Sequence, residues 1–162
     1  MSGKKAKDIK VSSLLKVQAI DLSLQGNDKK EVIAELVELI ARSRKLKNKK
    51  AFLNAVFERE KIGSTGIGNG VAIPHAKSKA VKSFIIAFGR KSEGIDFDAL
   101  DGEKTYLFFI LASPDEKVGE HLKILAEISR LIRDKFNIET LKKAREKKEI
   151  LKIVSRFERS EK

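Results

Sequence analysis

The chain has 162 residues, with two histidines, one methionine and no cysteine. That length suits one domain with its own core, and the missing cysteines exclude disulfides, zinc fingers and iron–sulfur clusters. Charged residues make up 36% and the net charge is +12, a balance that suits either a polyanion partner or a heavily charged surface.

The distribution of charge favours the second reading. Residues 93–120 carry eight carboxylates against Lys104 and Lys117, and the cationic excess lies in the N-terminal arm, in 42–50 and after 142. No aromatic side chain is interleaved with a basic run, as single-strand binders require, so nucleic acid is not an expected partner. Abundant lysine with few glutamines and asparagines is also the pattern of heat-adapted surfaces. No apolar run approaches the ~20 residues of a membrane span, and no apolar segment follows the basic start, so neither membrane insertion nor a secretory signal is expected. The cytoplasm is the expected location.

Residues 1–11 read as a mobile basic arm and 158–162 as a tail, with one domain over 12–157. Ile20 to Leu24 alternates like a short strand. Asp28 followed by Glu31 resembles a capping box, and Val32, Ile33, Leu36, Val37 and Ile40 recur behind it at helical spacing. That helix ends in the basic run Arg42 to Lys50. Asn48 is placed to cap a second helix that turns Phe52, Val56 and Phe57 inward and carries Arg59 near its end. Residues 63–70 are glycine-rich, and Pro74 biases Ile73 toward extended backbone. The dense apolar runs 83–88 and 105–112 predict strands covered on both faces. Val118, His121, Leu122, Leu125, Ile128 and Ile132 mark a further helix, and two helical pieces, 138–145 and 147–157, close the chain. Strands mixed with helices in this order predict an α/β sandwich.

Chemistry concentrates between Glu58 and Ala76. Four glycines in eight residues suggest a loop that cradles phosphate, yet the nucleotide templates fail. Gly63 is not followed by Gly-Lys-Ser/Thr at the Walker spacing, and Gly66-Ile67-Gly68 meets Val71 where a third glycine belongs. His75 stands directly after Pro74, so a stiff backbone presents an imidazole that is nucleophilic and largely neutral near pH 7. His121 lies on an apolar stripe in the first turns of its helix. It reads either as a satisfied core histidine or as a partner of His75. Two histidines, an arginine and free amides would together make a metal-free phosphoryl site. Ser64 lies near His75 in sequence, but no nucleophile elbow supports a serine triad.

The run from Phe57 to Lys77, FEREKIGSTGIGNGVAIPHAK, closely resembles the enzyme IIA domain of the fructose–mannitol class of the bacterial sugar phosphotransferase system. That class includes the nitrogen-regulatory enzyme IIA paralogues. The likeness continues through Gly94 to Gly102 and Gly119 to Ala126 and covers roughly residues 12–157. It implies a three-layer α/β/α sandwich with a mixed central β-sheet. It further implies that His75 accepts a phosphoryl group from the phosphorylated phosphocarrier protein HPr and passes it to a cysteine of a separate enzyme IIB. Arg59 and His121 match the family's arginine and second histidine beside the phosphoryl group. Ser64, Thr65, Gly66, Gly68, Asn69, Gly70 and Pro74 are then expected to shape the loop at the site. No cofactor or metal is needed, because the donor is already an activated phosphohistidine. The motif fits a carrier for sugar uptake and a phosphorylation-dependent regulator equally well.

Overall fold

The computed structural model describes residues 9–160. Among these described residues, six helices and six strands follow one another. They are α1 (Val11–Leu14), β1 (Leu15–Asp21), α2 (Lys29–Ala41), α3 (Lys49–Ile62), β2 (Gly66–Gly68), β3 (Val71–Ala72), β4 (His75–Ser78), β5 (Ile85–Ile95), β6 (Thr105–Pro114), α4 (Val118–Arg133), α5 (Lys135–Lys143) and α6 (Lys147–Ser160).

The strands form one mixed sheet in the order β1-β5-β6-β3-β2, with β4 also paired to β6. The β5–β6 and β2–β3 pairs are antiparallel; β1 runs parallel to β5, and β3 and β4 run parallel to β6. Side chains alternate across a pleated strand, and here both faces are apolar. Ile86, Phe88, Leu107, Phe109 and Leu111 point into a core closed by α1, α4, α5 and α6. Ile85, Ala87, Phe108, Ile110 and Ala112 point into a second core closed by α2 and α3. The result is the three-layer α/β sandwich that the two continuous apolar runs imply.

Local chemistry sets the helix ends. The Asp28 carboxylate accepts from the Glu31 N–H at 2.8 Å, and the Glu31 side chain reaches back to the Asn27 N–H at 2.8 Å. Asn48 caps α3 by accepting from the Ala51 N–H at 3.0 Å. In α4, Ile124, Ile128, Leu131 and Ile132 are buried, each contributing roughly 1.5–3 kcal/mol by leaving water. That stripe fixes the face of α4 that carries His121.

The first strand, β5 and the glycine-rich segment are among the elements that differ from the sequence expectation. The first strand covers 15–21 and stops at Asp21, whose carboxylate takes the Ser23 N–H at 2.8 Å and turns the chain. β5 runs on to Ile95, seven residues past the end of its apolar run. The glycine-rich segment is a β-hairpin, with Asn69 and Gly70 at φ 58° and 81° joining β2 to β3. Positive φ at both central residues of a two-residue turn is what Asn-Gly supplies.

Most of the expected N-terminal arm, residues 1–8, and residues 161–162 of the tail lie outside the described residues. Val11 is buried at the start of α1. The Ser12 N–H donates to Glu158 at 3.1 Å, which joins the first helix to the last turns of α6.

Candidate phosphoryl-acceptor site

His75 opens β4. Pro74 holds the approach to it, its carbonyl accepting from the Leu111 N–H at 3.0 Å. The parallel register then sets His75 beside Leu111, and Lys77 beside Ser113. The His75 ring is half-buried, with Nδ1 2.7 Å from the Ile73 carbonyl oxygen. A carbonyl only accepts, so the neutral ring carries its proton on Nδ1 and leaves the lone pair on Nε2.

His121 sits one turn inside the N-terminus of α4 and is buried, its ring centroid 5.4 Å from that of His75. Its Nδ1 lies 2.7 Å from the Ser113 hydroxyl, which is itself fully buried. A hydroxyl both donates and accepts, so Ser113 can support either tautomer of His121. With the hydroxyl donating to Nδ1, the His121 Nε2–H is free to donate.

Burial is the largest cause depressing both imidazoles. It holds His75 below its usual range, with Arg59 and Lys77 acting the same way and the Ile73 carbonyl and Glu60 opposing them. It pushes His121 down to about 4, helped by His75 and Lys77. Both rings are neutral at pH 7, as a nitrogen nucleophile requires.

Arg59 reaches the same cleft from the last turn of α3. One Nη1–H is bonded to the Gly63 carbonyl at 2.8 Å, which ties the guanidinium to the end of its own helix. Beneath it, Glu60 is nearly buried. It accepts from the Thr65 N–H at 3.2 Å and from the Thr65 hydroxyl, and it pairs with Lys29 Nζ at 2.9 Å. This knot fixes where α3 ends.

Arg59, His75 and His121 line one open cleft of about 540 Å³, together with Lys61, Ile62, Lys77, Asp115 and Leu122. Ile62 and Leu122 are 83% and 60% exposed, so two apolar side chains stand at the rim of the polar centre. Ser64, Thr65, Gly66, Gly68, Asn69 and Gly70 are not part of its lining. Ser64 Oγ bonds the Phe97 carbonyl at 2.8 Å, and the Asn69 N–H bonds Asp101 at 3.0 Å. A Cβ on Gly66 would lie 3.0 Å from the Ala99 backbone. These residues therefore pack the hairpin against the 97–101 loop. Thr65 acts on the cleft through Glu60, and Pro74 acts by fixing the backbone that leads into His75.

Sequence reasoning missed Ser113 and Lys77. Only the register of β4 on β6 brings them beside the histidines. The one signal for Ser113 was a hydroxyl at the end of an otherwise apolar run.

Residues 13–157 match the family described as phosphoenolpyruvate-dependent sugar phosphotransferase system, EIIA 2. The PTS system fructose-specific EIIABC component of Bacillus subtilis is 34% identical over 151 residues, 93% of this chain but only 24% of that protein's length. The crystal structure of nitrogen regulatory protein IIA-Ntr from Neisseria meningitidis matches with a TM-score of 0.83 at 35% identity, covering 89% of this chain and 98% of that one. The NMR structure of the complex of enzyme IIA and phosphorylated enzyme IIB for mannitol from Escherichia coli matches with a TM-score of 0.75 at 21% identity, covering 88% and 99%, a likeness of fold.

Proposed function

The chain belongs to the EIIA 2 family of the phosphoenolpyruvate-dependent sugar phosphotransferase system, and from that premise we propose that it is a phosphocarrier with His75 as its acceptor. The observation that carries this reading is the Ile73 carbonyl on His75 Nδ1, which leaves Nε2 as the nucleophile at the cleft.

In the proposed reaction the Nε2 lone pair attacks the phosphorus of a phosphohistidine on HPr. The new N–P bond forms as the donor's N–P bond breaks, and the donor imidazole leaves with the electron pair. His75 keeps its Nδ1–H throughout, so no proton has to be removed before attack. In the second step a thiolate on enzyme IIB attacks the same phosphorus, the His75 N–P bond breaks, and the pair returns to Nε2. The mannitol enzyme IIA, which shares this fold, forms a complex with phosphorylated enzyme IIB, and this supports enzyme IIB as the receiving partner. The apolar rim of Ile62 and Leu122 also suits a protein surface.

The roles of Arg59 and His121 follow from charge. Such a transition state spreads negative charge over three equatorial oxygens, and catalysis is mostly positioning plus electrostatic stabilisation. Arg59 supplies donors to those oxygens. His121 donates its Nε2–H once Ser113 donates to its Nδ1. Because His75 keeps its Nδ1–H, its phosphorylated ring carries a positive charge that the Ile73 carbonyl supports, and it leaves as a neutral imidazole when the thiolate attacks.

The test is incubation with enzyme I, HPr and phosphoenolpyruvate, followed by intact mass at alkaline pH, where phosphohistidine survives. One phosphoryl group is expected on the native chain and none on His75→Ala. A group retained by His75→Ala removes the assignment.

A second reading is regulation through phosphorylation-dependent protein binding. It is supported by the match to the nitrogen regulatory protein over 98% of that chain. Transfer from the phosphorylated chain to a fructose-class enzyme IIB separates the two. Rapid turnover supports transport, and a stable phosphoprotein with its own binding partners supports regulation.

A further inference from the structure

On the edge strand β1 the sheet carries a second cavity, of about 360 Å³. Its origin is a bulge. Leu15 pairs with Ile86 and Ile20 with Phe88, so β1 inserts three extra residues where β5 advances by two. Bulges of this kind re-aim side chains and often accompany sites. The displaced backbone is held by Arg42, which donates to the Gln18 carbonyl at 2.8 Å.

The cavity has two chemically distinct parts. Lys16, Arg42, Arg44 and Lys45 line it with no carboxylate among its lining residues, and Leu14 and Phe84 give it apolar surface. None of these four cations forms an ion pair with a carboxylate among the described residues. Like charges gathered without a counter-charge repel, and they raise the local concentration of anions. The volume lies within the ~300–1,000 Å³ range of small-molecule sites. An anion with a flat apolar body satisfies both parts, with phosphates on the cations and a ring against Phe84 and the planar guanidinium groups.

We propose that this β1 groove binds a nucleoside phosphate. The site is separate from the His75 cleft and does not depend on the phosphocarrier reading. It nevertheless shares a row of the sheet with that cleft, since His75 pairs with Leu111, Leu111 with Ile86 and Ile86 with Leu15. Three strand spacings make that about 14 Å. A protein docked over His75 with a patch of roughly 800 Å² would reach the groove, so an occupied groove meets the edge of any such partner.

The experiment titrates the isotope-labelled full chain with ADP, adenosine and inorganic pyrophosphate, following backbone amide shifts. ADP is expected to move residues 13–18, 42–45 and 84–86, to bind at least tenfold more tightly than pyrophosphate, and to leave adenosine without measurable binding. An Arg44→Ala/Lys45→Ala double variant changes only exposed side chains. It is expected to keep the native spectrum and weaken ADP at least tenfold. Phe84→Leu is expected to weaken ADP and leave pyrophosphate unchanged. Pyrophosphate binding as tightly as ADP, shifts centred on residues 59, 75 and 121, or full ADP affinity in the double variant each overturns the proposal. Random duplex DNA that displaces ADP at lower concentration also overturns it, in favour of a nucleic-acid surface.

Discussion

At His75 and its neighbours the three polar contacts divide the work. Arg59→Ala removes donors aimed at growing charge, so it is expected to slow both acceptance and donation by about a hundredfold, on the order of 3 kcal/mol. Arg59→Lys is expected to recover only part, because a point charge cannot reproduce a planar fork. Rapid-quench transfer in each direction reads this directly, and equal rates for native chain and Arg59→Ala would remove the arginine from the mechanism. His121→Ala is expected to accept the phosphoryl group still but to hand it on slowly. Ser113→Ala tests the route through which His121 is oriented. It should slow the second step by roughly fivefold, a smaller loss than His121→Ala, since one neutral hydrogen bond contributes about 1 kcal/mol. If Ser113→Ala transfers at the native rate, the 2.7 Å contact is packing alone. Sequence reasoning reached His75, Arg59 and His121 because each stands in a distinctive local pattern. It did not reach Ser113, whose role exists only across a strand pair.

At the scale of single elements, the end of α3 decides where Arg59 stands. Glu60 faces Lys29, the Thr65 N–H and the Thr65 hydroxyl with its side chain only 6% exposed. Glu60→Gln discharges one side of a buried pair and is expected to cost about 2 kcal/mol, read as a lower urea midpoint at unchanged slope. The same variant should slow transfer, because Arg59 is one residue away and bonded to Gly63. Native stability in Glu60→Gln would mean that the knot is incidental. Helices α2, α3, α4 and α6 were legible from caps and spacing, and β5 and β6 from their apolar runs. The hairpin at 66–72 was not, because four glycines drew attention to ligand-cradling loops and away from Asn69-Gly70 as a turn. β4 was hidden as well. Its His-Ala-Lys-Ser sequence has little strand character, and it is held by pairing to the buried β6 and by Ala76 packed in the core that α3 closes.

For the molecule as a whole, pH reports on the buried pair of rings. In the unfolded chain both histidines take up protons near pH 6.5, whereas in the fold His121 does so only near 4. Between those values the unfolded state binds more protons, so stability rises with pH there. It is fully present above about 6.5 and is lost on acidification toward 4, by on the order of 3 kcal/mol from His121. Urea unfolding at pH 7 and pH 5 is expected to show this loss in the native chain and a clearly smaller one in His121→Asn. The slope of that loss reports on more than one ring, because the sheet separates two hydrophobic interiors. α3, which carries Arg59, belongs to one, and α4, which carries His121, belongs to the other. His75 stands at the seam on a four-residue strand. The cleft is therefore a gauge of alignment between two slabs, and neither slab holds it alone. Partial opening of either one, well short of global unfolding, separates the arginine from the imidazoles. Acceptor chemistry should therefore fail on heating before the secondary structure does.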